Sequence, residues 1–353
     1  MKKVLAIFLG MLIPLVLVSF LFIKAQNWKA EAQTEPALIP VLTYHRILPE
    51  ASSIFDYTPE QLEEHLRYFK EHGYTPITAL EMVEMLATPE RLPEKPVVLT
   101  FDDGHKSHYT IVFTLLKKYG YRATFFVYTD EIAEESERQL TWDELRTMGR
   151  EGMDIQCHTK SHPFLTRARQ NESQAAYLER LQREIHGSKV ILEEKLGRKV
   201  ELLAYPYGWF NQTVETLAVQ AGYRGIFTVN WGVNSVTDNP LRFKRRVMEN
   251  TMSLEDLNQI LTAKPLPIEI IQPEDAARIG QVPVIKFRTT DPRIDRVEVK
   301  VRSVTEQITK EQDGFFTWSG LESLPPGYHM IVIKGVDHEN QPLINSWGFD
   351  YQR

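Results

Sequence analysis

Asp102 and Asp103 stand side by side at the end of the apolar run Pro96–Phe101, followed by Gly104 and then by His105 and His108. Adjacent carboxylates repel one another unless a cation lies beside them or one takes up a proton. A second group of candidate residues occurs in "CHTKSHPF", where His158 and His162 are four positions apart and Pro163 limits how far a helix could begin. Two imidazoles and a carboxylate are a common ligand set for a catalytic divalent metal with one position left for water. A bound cation polarises an acyl carbonyl and acidifies water, and a free carboxylate beside it can take that water's proton. The plainer alternatives are solvated carboxylates in a turn and a chance His-x-x-x-His.

Such groups must be gathered by a fold. Between Ile39 and Leu261 strand-like runs alternate with amphipathic helices, the pattern of an α/β fold with parallel strands. The strand candidates are "IPVLTYH", "PVVLTF", "ATFFVY", "MDIQC", "ELLAY", "GIFTV" and "FKRRVM". About seven strands alternating with helices predict a distorted (β/α) barrel, whose strand C-termini collect reacting groups. Capping boxes at Thr58–Gln61 and Thr141–Glu144 mark helix starts. Leu178, Leu181, Ile185, Leu192 and Leu196 give one apolar face of a long helix ending at Gly197.

After Lys264 short alternating runs separated by Asp-Pro, Asp-Gly and Pro-Pro-Gly turns predict an all-β, immunoglobulin-like sandwich over 264–353. In it Trp318, Tyr328 and Trp347 are read as core, with a sugar or partner surface as the alternative. Lys2 and Lys3 precede an uncharged run from Val4 to Ile23. As a helix that run would span about 30 Å, so residues 1–25 are expected to be a signal anchor or signal peptide. Residues 26–38 then read as a tether, 39–263 as the α/β domain, and the chain as extracytoplasmic, held at the membrane by its N-terminal helix or secreted.

The chain has 353 residues and a formal net charge of -6. No basic stripe offsets that charge, so nucleic acid is not an expected partner. The single cysteine, Cys157, excludes an intrachain disulfide framework and reads as a small buried residue.

These motifs resemble the polysaccharide deacetylase family, carbohydrate esterase family 4. Thr100-Phe101-Asp102-Asp103 and His158-Thr159-Lys160-Ser161-His162-Pro163 stand complete. The resemblance implies a distorted barrel and metal-dependent removal of acetyl groups from a cell-surface sugar polymer. It implies Asp103, His158 and His162 as ligands of a divalent metal, zinc first, with cobalt, nickel or iron as alternatives, and Asp102 as general base. In the third motif, Ala204-Tyr205-Pro206-Tyr207-Gly208, Ala204 stands where much of the family has the arginine that orients the base. Arg245 or Arg246 is the candidate replacement, with surface charge as the alternative. Pro206 and Tyr207 suit a pocket wall, the Tyr207 N–H could help hold an oxyanion, and Tyr207 and Trp231 are candidates to pack on a sugar ring or in the core.

No histidine occurs between His186 and His329 to match the family's late acid motif. His45, in "VLTYHRI", resembles the acid of the permuted subgroup acting on poly-β-1,6-N-acetylglucosamine, a biofilm exopolysaccharide. His105 and His108 are then polar groups at the mouth or on the next helix. The expected partner is an N-acetylated polysaccharide; no protein partner is indicated. Competing readings are a peptidoglycan or chitooligosaccharide deacetylase, a two-carboxylate glycoside hydrolase that leaves the histidines idle, and a non-catalytic carbohydrate-binding matrix protein.

Overall fold

The computed structural model describes residues 37–321 and 324–352, so the expected membrane segment at 1–25 and nearly all of the tether lie outside the described residues. Among the described residues no helix is long and apolar enough to cross a membrane.

Eight parallel strands build the α/β domain: β1 (Val41–Tyr44), β2 (Thr75–Ile77), β3 (Pro96–Asp102), β4 (Thr124–Val127), β5 (Asp154–Cys157), β6 (Leu202–Ala204), β7 (Gly225–Phe227) and β8 (Arg246–Val247). Their order is β7-β6-β5-β4-β3-β1-β8, with β2 paired to β3. The seven strands of that path are the seven expected runs. The eighth, β2, is three residues with a central proline, too short to register as a strand in the sequence. Phe243 joins the ends of the sheet: its N–H donates to the Ile226 carbonyl and its own carbonyl accepts from Thr228, three residues before β8 pairs with β1. The result is a distorted barrel.

Side chains alternate across each strand, and the two faces have different partners. Leu42, Tyr44, Leu99, Phe101, Phe125, Ile155 and Leu203 pack outward under helices that contribute Leu62, Leu145, Leu181 and Leu192. Val41, Val98, Phe126, Leu202, Ala204, Phe227 and Phe243 fill the interior, which helix Ala79–Leu86 stops through Ala79 and Met82. Asp102 follows Val98 and Thr100 on the interior phase, and His158 follows Asp154 and Gln156. Cys157 takes the outer phase, buried beside Ser188.

The capping boxes at Thr58 and Thr141 are formed, and a third stands at Thr78. The long helix runs from Gln174 to Leu196 and ends at Gly197, whose φ of 64° is the left-handed cap. It is not regular: Arg183–Gly187 is a π turn that buries Glu184 and Ile185. Such turns appear in a helix where a side chain must be redirected, often at a functional site.

Beyond Lys264 two sheets face one another. Ile268–Gln272, Ile285–Thr289 and Phe316–Trp318 make one; the other is built on the hairpin Gly327–Val336 and Pro342–Tyr351. Phe287, Phe316 and Trp318 meet Val299, Ile331, Trp347 and Phe349 in the shared core. Both indoles are buried with their N–H groups spent, Trp347 on the Pro273 carbonyl and Trp318 on Glu306. Tyr328 is buried too, its hydroxyl donating to Asn230 of the barrel domain at 3.3 Å.

Candidate active site

Asp102 and Asp103 end β3, but their backbones differ. Asp103 has φ 79° and Gly104 φ 73°, so the chain turns sharply and swings the second carboxylate away from the first. A side chain at Gly104 would also press on Ile132 and Val127 at 3.2 and 3.3 Å, which explains the glycine. Thr159 and His162 likewise hold positive φ, 73° and 55°. Three non-glycine residues in left-handed backbone, within or beside one cluster, are strain that the surrounding structure must hold in place.

One holding group is Glu184. From its π turn it accepts the N–H groups of Lys160 and Ser161 and the Ser161 hydroxyl at 2.6–3.1 Å, fixing the loop between the two histidines. Nothing in the helical pattern singles it out. Another is the Ala204 carbonyl, which accepts from His158 Nδ1 at 2.8 Å. A carbonyl can only accept, so the His158 proton is on Nδ1 and the Nε2 lone pair faces the site.

That lone pair meets other acceptors. His158 Nε2 and His162 Nε2 lie 3.6 and 3.4 Å from Asp103 Oδ1, a buried oxygen without a hydrogen-bond partner. Burial depresses the His158 pKa to about 4 despite the nearby Asp102 and Asp103, so a proton does not bridge the group at neutral pH. The donor atoms of Asp103, His158 and His162 all fall within 4.8 Å of one another. Two imidazole nitrogens and an orphaned carboxylate oxygen converging on one point fit a divalent cation.

Asp102 lies beside that set, its Oδ2 3.8 Å from His158 Nε2, but its own partner is an arginine. Burial alone would raise its pKa, but the Arg245 charge, with His158 and His45 adding to it, brings it down to about 2. Arg245 Nη1 donates to Asp102 Oδ1 at 2.8 Å, and its Nε donates to the Thr228 carbonyl. Of the two candidate arginines, strand phase decides: Arg245 points into the barrel and is 0% exposed. Arg246 points the other way, stacked 3.8 Å from the Trp231 ring centroid. The cation missing at Ala204 is therefore supplied to the aspartate from the segment that closes the barrel.

His45 continues the inward phase of β1 and stands close enough to Asp102 to act on its charge; its Nδ1 is buried without a partner. His108 lies beneath it, fully buried against Phe101 and Phe125, and its Nε2–H donates to the His45 carbonyl at 2.7 Å. It is thus a buttress at the start of the next helical segment, His108–Phe113, as one of the two expectations had it, and not a group at the mouth. His105 accepts from the Ser107 N–H. Pro206 is buried and Tyr207 is exposed, its ring edge-on to His162 at 4.6 Å with φ 60° at its backbone. Trp231 is not part of this cluster. Its indole faces Arg246, Lys300 and Lys334, and its carbonyl accepts from Ser346 of the sandwich, a surface the sequence of the barrel domain alone does not reveal.

The sequence pattern of the family described as polysaccharide deacetylase matches residues 90–226, which hold both motifs. The chain carries a domain of the polysaccharide deacetylase family. A Bacillus subtilis relative, YxkH, is 28% identical over 213 residues, 60% of this chain and 72% of that one. The Escherichia coli poly-beta-1,6-N-acetyl-D-glucosamine N-deacetylase is 24% identical over 311 residues, 77% of this chain but 46% of the relative, so the chain spans under half of that protein. Among solved structures, the Streptococcus pyogenes deacetylase PplD in complex with acetate aligns with a TM-score of 0.58 and 29% identity, covering 64% of this chain and 99% of that one. The matched pattern holds Asp102, Asp103, His158 and His162, while His45, Arg245 and the sandwich lie outside residues 90–226.

Proposed function

We propose that this chain hydrolyses acetamido groups on an N-acetylated cell-surface polysaccharide, poly-β-1,6-N-acetylglucosamine being the favoured substrate, using a divalent metal held by Asp103, His158 and His162. Zinc fits the two imidazoles and one carboxylate. When bound, the cation polarises the acetyl carbonyl and lowers the pKa of water at the site. The remaining work falls to the chain. Asp102, ionised and fixed by Arg245, takes the proton of the water whose oxygen attacks the acetyl carbon. The Tyr207 N–H donates toward the developing oxyanion. His45 gives a proton to the departing nitrogen as the carbon–nitrogen bond breaks, leaving acetate and an amine.

The observation that carries this reading is the convergence of Asp103 Oδ1 and two imidazole Nε2 atoms beside an arginine-held Asp102. Two-carboxylate glycoside hydrolysis would give neither histidine a role. The substrate fits a chain exported by residues 1–25, whether as a signal anchor or as a signal peptide. The test is acetate release from β-1,6-linked N-acetylglucosamine oligomers, with chitooligosaccharide and peptidoglycan fragments alongside. Asp102→Asn should abolish release while the metal stays bound; equal release from the variant would refute the base assignment.

A further inference from the structure

Arg245 is held by a loop more than by its own strand. β8 begins one residue later and pairs with β1 over two positions, Leu42 with Arg246 and Thr43 with Val247. What places Arg245 is the turn that leaves β7. Its backbone N–H donates to the Asn230 carbonyl at 3.0 Å, and its Nε donates to the Thr228 carbonyl at 2.9 Å. That turn is irregular backbone, and such segments open locally unless contacts hold them. Within the barrel domain it is tied at its first residue, where Thr228 donates through its N–H and its hydroxyl to the Phe243 carbonyl.

The rest of the hold comes from the sandwich. The Tyr328 hydroxyl donates to Asn230 Oδ1 at 3.3 Å, and the Ser346 hydroxyl donates to the Trp231 carbonyl at 2.7 Å. Further along the same segment Arg242, paired with Glu215 of the barrel domain, also reaches Asp275 Oδ2 at 2.9 Å, and Asp275 Oδ1 accepts the Gly348 N–H. Three contacts from one domain therefore land on the stretch 230–242 that leads to Arg245. The sandwich makes room for the first of them: Tyr328 lies across Gly348, where a β-carbon would collide with the hydroxyl. Tyr328 and Asn230 are both buried, so bulk water does not compete for their bond.

We propose that the sandwich is a positioning domain for the reaction, in which Tyr328 and Ser346 hold Asn230 and Trp231 so that Arg245 presents Nη1 to Asp102. This rests on the deacetylation reading above, in which Asp102 is the base. The path runs from the Tyr328 hydroxyl to Asn230, from Asn230 to Arg245 and from Arg245 to Asp102, and each step between residues is a hydrogen bond. Both sandwich hydroxyls bond to the loop rather than to the reacting groups. A base that must meet water over the acetyl carbon loses rate when its carboxylate drifts, whereas substrate binding hardly changes. The signature is a fall in kcat with KM held.

The test uses the full chain loaded with zinc and β-1,6-linked N-acetylglucosamine oligomers. Tyr328→Phe keeps the ring on Trp209 and Phe210 and removes only the hydroxyl. It should lower kcat by roughly tenfold with KM unchanged, and Ser346→Ala should act in the same direction. In an Arg245→Met background nothing is left to aim, so Tyr328→Phe should cost no further activity; a loss as large as in the parent would overturn the proposal. Hydrogen exchange needs no turnover: in Tyr328→Phe the amides of 243–247 should exchange faster while those of β4 keep the parent rate. Parent-like exchange at 243–247 in a folded Tyr328→Phe would overturn the proposal and leave the reaction standing wherever acetate is still released, as would a kcat equal to the parent's. Faster exchange there in a chain whose parent releases no acetate would keep the hold on Arg245 and refute the reaction.

Discussion

Arg245 Nη1 lies 2.8 Å from Asp102 Oδ1 across 143 positions of sequence, and both side chains are buried. The guanidinium comes from the segment that closes the barrel, so that segment also fixes the Asp102 carboxylate. A carboxylate held near a pKa of 2 stays ionised throughout the working range and keeps one orientation.

Replacing Arg245 by methionine should therefore do two things. It leaves a buried charge without its partner, costing about 3–5 kcal/mol, read as a fall in melting temperature. It should also lower acetate release by roughly 10²-fold, the low end of what a positioned base contributes. Arg246→Ala, one residue on but facing Trp231, should leave acetate release near the parent value. A larger loss in Arg246→Ala than in Arg245→Met would reverse the assignment.

Glu184 clamps the loop between His158 and His162, two of the proposed metal ligands. Glu184→Ala frees the Lys160 and Ser161 N–H groups and relaxes the left-handed backbone of Thr159 and His162. Metal affinity, measured by competition with a chromogenic chelator, should fall by about 10–100-fold, the usual effect of losing an outer-shell partner. An unchanged affinity in a folded variant would make Glu184 a core residue only.

His45 can be tested by leaving group. An amine needs a proton to depart, whereas an aryl acetate leaves as a stable phenolate. His45→Ala should lower acetate release from N-acetylglucosamine oligomers by roughly 10²-fold or more, and far less from an aryl acetate. Equal losses on both would point to a structural histidine.

Stability should fall with acid before the carboxylates protonate. Burial lowers the pKa of His65 to about 4, and that of His108 to about 4 against the raising effect of its bond to the His45 carbonyl. Both ordinary values are 6.5, so the unfolded chain binds more protons than the folded one between these limits. The stabilisation is fully present above pH 6.5 and is lost as pH falls toward 4, on the order of 3 kcal/mol for each histidine. Denaturant unfolding across that window should show the loss, and His65→Gln should shrink it. A flat profile would mean that the two rings charge freely in the fold.

The parts of this site that were legible were those contiguous in sequence. Asp102-Asp103 and His158-x-x-x-His162 each sit at one strand end, and a strand end is readable from a single apolar run. Arg245 was narrowed only to a pair, because adjacent residues on a strand face opposite ways and nothing local states the phase of two-residue β8. Glu184 was hidden because a π turn interrupts a helix whose apolar spacing looks regular. Trp231 admits either a sugar platform or a core position from its spacing, because the sandwich residues that meet it lie about 70 to 115 residues further on. His108 was legible as a histidine but not as a buttress, since its partner is a backbone carbonyl on β1's extension. The barrel and sandwich themselves were plain from periodicity, apart from the proline-containing β2.

The central claim is that one divalent metal, held by Asp103, His158 and His162, is required for deacetylation. The direct measurement is acetate release from N-acetylglucosamine oligomers by chelator-stripped protein as zinc is titrated back, with His162→Ala alongside. Activity should be absent at the start, rise with added metal and saturate at one equivalent per chain, while the variant stays inactive over that range. Full acetate release from the stripped protein, unaffected by added metal, would contradict the account.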